Sequence, residues 1–335
     1  MTIINGIEID DIYFLKNELK EAINNNEPIE EKLNVIIVVS NPCQFARRYI
    51  LAQEFIKRFE EEEKNVELFV VELAYNTQKF YITNPKNKNH LQLRTNTAPI
   101  WHKENMINLG VKYLLPKNWK AFAWIDADIE FESSSWALDT LKVLNGYKDI
   151  VQLFSHANDM DINCDTMSIF TSFGHQRVKE RKYGLKGPNY WHPGFAYAIT
   201  KKAYEKIGGL YQNAILGSGD NIIALSVINK GLKAINELST DGYKESILEY
   251  QKKASQLRFG YIPGVINHYF HGSKANRKYN ERWQILLKHN FDPNIHITTN
   301  NEGIIVPTNL CPQEMLDEIM EYFKERNEDE CYFSH

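Results

Sequence analysis

The run "NVIIVVS" (34–40) offers no polar face. An alternating strand can leave one side in water, but a continuous β-branched run must be covered on both sides. That is the habit of a strand inside a parallel sheet with helices above and below. "ARRYILAQEFIKRFEEEEK" follows with apolar residues at helical spacing, and "VELFVVELAY" (66–75) is a second run of the first kind. Strand, helix, strand opens a parallel α/β sheet.

The rest of the chain is consistent with that class. A polar loop rich in Asn and Lys (76–98) leads to "IWHKENMINLGVKYLL", whose apolar spacing predicts a helix, and "AFAWID" supplies a third strand. "DIVQLFSHA" (149–157) reads as a strand. "TSFGHQRVKERKYGLKGPNYWHPG" reads as a long basic loop, a lid over 172–193 that orders on a ligand. "AYAIT" and "KKAYEKIGGL" predict a strand and a helix ended by Gly208 or Gly209. "DNIIALSVINKG" predicts a helix stopped at Gly231, and "PQEMLDEIMEYFKERNEDE" an amphipathic helix that packs. The expected division is a helical N-terminal extension (1–33), one main domain (34–295) with halves at about 34–131 and 132–295, and a C-terminal extension (296–335) carrying one helix.

Bulk properties exclude some functions. Lys+Arg 39 against Asp+Glu 43 gives a net charge of -4 over 335 residues, so a protein that grips nucleic acid through its phosphates is not expected. The four cysteines, Cys43, Cys164, Cys311 and Cys331, are far apart and form no CxxC pair. A disulfide framework or zinc site is not expected, and a reducing compartment is. The N-terminus is acidic, without a basic start and apolar block, and no apolar run reaches membrane-spanning length. These features predict a cytoplasmic protein without a membrane segment.

Four stretches carry candidate chemistry. "AFAWIDADIEF" places Asp126 and Asp128 at the carboxyl end of a strand, where ligands of open α/β sheets bind. Two close carboxylates either flank a cation or form a solvated strand end. In "INHYFHGSKANRKYNERW", His268 and His271 are three apart and could share a metal, while Lys274, with Arg277 or Arg282, could meet phosphate oxygens. The alternative is a basic surface helix with incidental histidines. "ILGSGDNIIA" presents Asp220 at a helix start, as a cap or as a general base. "YWHPGFAYAIT" sets Trp191 and Phe195 around Pro193 and Gly194, an aromatic face for a sugar ring or for the core.

In their order and spacing these pieces resemble the nucleotide-sugar glycosyltransferases of GT-A fold, and more narrowly the inverting β-1,4-galactosyltransferase family, over roughly residues 34–290. The likeness rests on "WHKENMINLGVKYL" before "WIDADIEF", then "HPGFAYAITKKAYEKIGGLYQN", "LGSGDN" and "HYFHGSKANRKYNERW". The resemblance implies a Rossmann-like, mostly parallel central sheet flanked by helices, with short helical extensions at both ends. It implies Asp128, His268 and His271 as ligands of Mn²⁺, with Mg²⁺ as the second choice, and Asp220 as the base that deprotonates an acceptor hydroxyl. It implies a UDP-sugar donor held by Ser40, Asn41, Pro42, Glu72, Arg94, Lys103, Asp126 and Lys274. The acceptor would lie against Trp191, Gly194 and Phe195.

The sequence departs from that family in three ways. Its acidic segment has Leu216, Ser218, Gly219 and Asn221 where the family has more carboxylates and a tryptophan, so the acceptor (glycan, protein, lipid or modified base) is left open. A histidine stands three before His271 where the family often has methionine, and no anchor or disulfides are seen. The expectation is a metal-dependent transfer of a hexose from a UDP-sugar, with inversion. The alternatives are a retaining transferase on the same metal site, a nucleotidyltransferase, a non-catalytic sugar- or nucleotide-binding module, or, least favoured, a metal-dependent nuclease.

Overall fold

The computed structural model describes residues 3–4, 7–8, 18–184, 190–279 and 281–330. Strands β1 (Leu33–Ser40), β2 (Val66–Tyr75), β3 (His90–Thr95) and β4 (Ala121–Ile125) run parallel. The chain then supplies β5 (Ile129–Phe131), β6 (Ile150–Gln152), β7 (His156–Met160), β8 (Thr166–Thr171), β9 (Ala196–Thr200), β10 (Phe259–Tyr261) and β11 (Val265–His268). The main sheet has seven strands in the order β10-β6-β9-β4-β1-β2-β3, with β9 antiparallel to both neighbours. A smaller sheet, β8-β7-β11-β5, stands beside it.

The unbroken apolar character of β1 has the cause the sequence suggested. Leu33, Val35 and Ile37 face one core with Phe55 and Phe59 of helix α1 (Ala46–Glu62). Ile36 faces the other, with Met106 and Ile107 of α2 (Lys103–Tyr113). Each such side chain removed from water contributes roughly 1.5–3 kcal/mol. At Gly110 of α2, a Cβ would sit 3.0 Å from Val71 and 3.1 Å from Ile36, so only glycine lets this helix lie flat on β1 and β2. Helix α3 (Trp136–Leu144) covers the other face. Against it packs a short helix (Leu19–Asn25) through buried Leu19 and Ala22.

The chain leaves β1 toward β2 on one side and later returns to lay β4 on the other. The two connections part at the carboxyl ends of β1 and β4, which opens a crevice there.

Three expectations need correction. "HLQLRT", read as loop, is the edge strand β3. "DIVQLFSHA" is two strands in two sheets, since the chain leaves β6 after Gln152 and begins β7 at His156. The helix from Gly219 ends at Val227, where Asn229 (φ 61°) turns the chain, and Gly231 opens a 3-10 turn instead of ending the helix. Gly208 does end its helix, Lys201–Ile207, in the left-handed region (φ 78°). Of the expected lid, Phe173–Val178 is a helix capped by Ser172, and residues 185–189 lie outside the described residues.

Candidate active site

A cavity of about 370 Å³ opens at the ends of β1 and β4. Sheet register builds a corner that could hold a metal ion. β5 pairs with β11 so that Ile129 lies opposite His268, and Tyr269 N–H donates to the Asp128 carbonyl at 2.8 Å. β11 also pairs with β7, which sets His268 opposite Asp159. Asp128, His268 and His271 therefore converge with one ligand atom each inside 4.8 Å of the others. His271 Nε2 lies 3.0 Å from Asp128 Oδ2 and 3.3 Å from His268 Nε2.

The arrangement fits a divalent cation. His268 Nδ1 is bound to Asp159 Oδ1 at 2.7 Å, which leaves Nε2 aimed at the cluster, and Asp159 Oδ2 pairs with Lys274 at 2.5 Å. Asp128 Oδ1 is buried without a partner among the described residues. Burial disfavours the Asp128 charge, but His271, His268 and Arg277 outweigh it and hold the carboxyl well below its usual range. His271 is depressed to about 4 by burial and then by Arg277, so its ring is neutral near pH 7. Its lone pair accepts from Arg277 Nη2 at 2.8 Å.

A second group gathers at the base of α2. Lys103 Nζ pairs with Asp126 Oδ1 at 2.5 Å. Burial works against the Lys103 charge, but Asp126, then Asp220 and Glu104, more than restore it. Glu104, buried, is pushed up to about 8 by desolvation, with Lys103 opposing and Asp220 adding to the rise. A Cβ on Gly219 would fall 2.3 Å from the Glu104 carboxyl, which explains the glycine there. Asp220, in the first turn of α4 (Gly219–Val227), faces the cavity, and its Oδ2 lies 2.9 Å from where a Gly194 Cβ would be.

On the remaining wall, Phe195 sits at φ 80°, an unusual conformation for a residue with a side chain. It stacks on His192 at 4.3 Å and lies 4.6 Å from the His268 ring. Trp191 lines the cavity between Phe173 and Tyr183, and its buried indole N–H lacks a partner among the described residues. Ser40, Asn41 and Pro42 also line it.

The cavity thus brings together Ser40, Asn41, Pro42, Lys103, Asp126, Asp128, Trp191, Gly194, Phe195, Asp220, His268 and His271. Three expected residues are not among its lining. The Glu72 carboxylate is consumed by Tyr81, Ile82 and Thr83, whose backbone N–H groups reach it at 2.8–3.1 Å, so it holds a loop instead of a ribose. Arg94 donates to the Asn76 and Gln78 carbonyls and lies over Phe80, stitching the same region. Lys274 acts through Asp159.

Sequence reasoning missed Arg48, Arg326, Glu328, Glu104 and Asp159. Glu328, 1% exposed, accepts both Arg48 Nε (2.8 Å) and Nη2, and Arg326 Nη2 at 2.8 Å. Its neighbour Asp329 accepts the N–H groups of Ala46 (3.0 Å) and Arg47 (2.8 Å), capping α1. In the sequence this is an acidic tail, and nothing local marks it as buried.

No protein-family model matches the chain, and no curated protein does. Solved structures do resemble it. A mannosyltransferase from Pyrobaculum calidifontis, in complex with GDP-Man and Mn²⁺, is 12% identical, with TM-score 0.41 over 82% of this chain and 69% of its own. A Drosophila β-1,4-galactosyltransferase 7, in complex with manganese, UDP-Gal and xylobiose, is 9% identical, with TM-score 0.37 over 86% of this chain and 98% of its own. A nucleotide-diphospho-sugar transferase from Desulfovibrio desulfuricans, so described provisionally, is 8% identical, with TM-score 0.35 over 89% and 99%. Likeness this loose carries no chemistry from those proteins to this one. Among the described residues no helix is long and apolar enough to cross a membrane.

Proposed function

We propose that the protein is a metal-dependent glycosyltransferase that moves a hexose from a UDP-sugar to an acceptor hydroxyl with inversion. One observation carries the reading. Asp128, His268 and His271 come from distant parts of the chain, lie within 4.8 Å of each other and share a cavity with Asp220. A non-catalytic binding module has no need of a carboxylate such as Asp220 beside an assembled ligand set.

The mixed carboxylate and imidazole donors suit Mn²⁺ better than Mg²⁺, which prefers oxygen. When bound, the ion would supply charge that offsets the leaving diphosphate. The chain's own residues do the rest. Arg277 now occupies the His271 lone pair, and once released from it the guanidinium can turn to a phosphate oxygen. Ser40, Asn41 and Pro42, at the end of β1, hold the uridine. Lys103 fixes Asp126 and keeps the ground beneath Asp220 positive. Asp220 accepts the acceptor proton at a carboxylate oxygen while the hydroxyl attacks the face opposite UDP. Gly194 leaves room for that carboxylate, and Trp191 and Phe195 offer faces to the acceptor ring.

The test is UDP binding with and without Mn²⁺, read by calorimetry. The parent chain binds UDP far more tightly with the ion, and Asp128→Ala removes that gain. Metal-dependent binding that survives in Asp128→Ala rules out the proposed ligand set.

A further inference from the structure

Two guanidinium groups in the cavity have only neutral partners among the described residues. Arg282, 8% exposed, donates to Tyr322 Oη at 3.0 Å and to Ser218 Oγ at 2.6 Å, and lies over the rings of Tyr279 and Tyr322. Arg277 donates to His271 Nε2 and, at 3.2 Å, to Tyr279 Oη. The Asp128 carboxylate nearby offsets part of the Arg277 charge, but the hydroxyls that satisfy the Arg282 N–H groups do not offset its own, and a buried charge without a counterion is costly. The nearby carboxylate Glu328 is already shared by Arg48 and Arg326. Arg282 therefore brings to the cavity a charge that none of its bonded partners among the described residues neutralises.

The two arginines serve different sides of the site. Arg277 touches a metal-ligand histidine, so the donor's diphosphate is its natural partner. Arg282 is on the side of the base. It is bonded to Ser218, two residues before Asp220, and its Nη1 lies 3.3 Å from where a Gly217 Cβ would be. Trp101 lies 3.6 Å from the same point and carries the Arg326 guanidinium over its ring at 5.2 Å. Arg326 Nε, buried, has no partner among the described residues. A second anion, separate from the diphosphate, would be held here close to the acceptor hydroxyl.

We infer that the acceptor is a phosphorylated sugar, whose phosphate is gripped by Arg282 with help from Arg326 while its hydroxyl faces Asp220. Guanidinium groups match the three oxygens of a phosphate with charge-assisted hydrogen bonds. The inference rests on the transferase reading and narrows it.

The test uses the full chain with Mn²⁺, UDP-galactose or UDP-glucose, and matched acceptors: glucose against glucose 6-phosphate, and N-acetylglucosamine against its 6-phosphate. The phosphorylated member is favoured in kcat/KM by about 10–100-fold, the worth of a charge-assisted contact. Arg282→Gln removes most of that preference through the acceptor KM, and Arg282→Lys restores part of it, which also shows that the position tolerates change. Equal use of neutral and phosphorylated sugars by the parent chain overturns the inference. So does an Arg282→Gln variant whose affinity for UDP with Mn²⁺ falls by the same factor as its acceptor preference, because Arg282 would then belong to the donor. A parent chain that binds no UDP with Mn²⁺ defeats the transferase reading itself, and this inference with it.

Discussion

Glu328→Ala is the most demanding test of how the site is held together. The carboxylate is 1% exposed and bonded to both Arg48 and Arg326, Arg48 through two nitrogens. Burial opposes its charge, but Arg48 and Arg326 hold it ionised far below the usual carboxylate range. Alanine leaves those two guanidiniums facing each other and Arg277 and Arg282. Breaking a buried pair from one side costs about 3–5 kcal/mol. At about 2–4 °C per kcal/mol for a large domain, the melting temperature should fall by roughly 6–20 °C. Differential scanning calorimetry reads the change, with Glu321→Gln on the exposed face of the preceding helix as the control, expected to stay within about ±0.5 kcal/mol. Inorganic phosphate should recover part of the loss in Glu328→Ala, by binding where the carboxylate was. A melting temperature within about 2 °C of the parent, with no response to phosphate, would refute the idea that this carboxylate anchors the arginine wall.

Other changes separate the roles of neighbouring groups. Asp220→Asn should lower turnover by about 10²–10⁴-fold with UDP affinity preserved, and unchanged turnover would remove the assigned base. Asp159→Asn keeps an acceptor for His268 Nδ1 but loses the charge shared with Lys274, so Mn²⁺ affinity measured with UDP should fall about 10–100-fold. An unaltered affinity would mean that His268 needs no such support. His102 and His192 are held neutral by burial, at about 4 and about 3. The unfolded chain takes up their protons first, so their contribution to stability is complete above pH 6.5 and is lost progressively as pH falls toward 4. Denaturant melts that show constant stability between pH 7 and 4.5 would contradict this.

Much of the fold was legible because burial on both faces leaves an unmistakable run of side chains. β1, β2, β4 and the helices between them follow from that rule. β3 escaped because "HLQLRT" is an edge strand with one covered side and mixed polarity, which reads like loop. β8 is likewise an edge strand with Ser and Thr among its residues, while β7 is an inner, buried strand that escaped because His, Asn and Asp interrupt its apolar character. The candidate ligand set of Asp128, His268 and His271 was legible through the order of its motifs, since Asp-x-Asp and two histidines three apart each have a bland reading when taken alone. Glu72 misled, because a carboxylate at a strand's end looks alike whether it greets a ligand or ties down its own loop. Arg277 and Arg282 were read as phosphate candidates, but Arg48, Arg326 and Glu328 were hidden because they lie far apart and each, taken singly, resembles a surface charge.

The bond between Arg48 and Glu328 spans 280 positions. A ribosome therefore releases the first wall of this cavity long before the residues that complete it. Until then, the early arginine has no permanent anion and the first turn of α1 has no cap. A nascent chain can build its sheet before this corner closes, so truncation just before Glu328 should lower the melting temperature and weaken the binding of UDP with Mn²⁺.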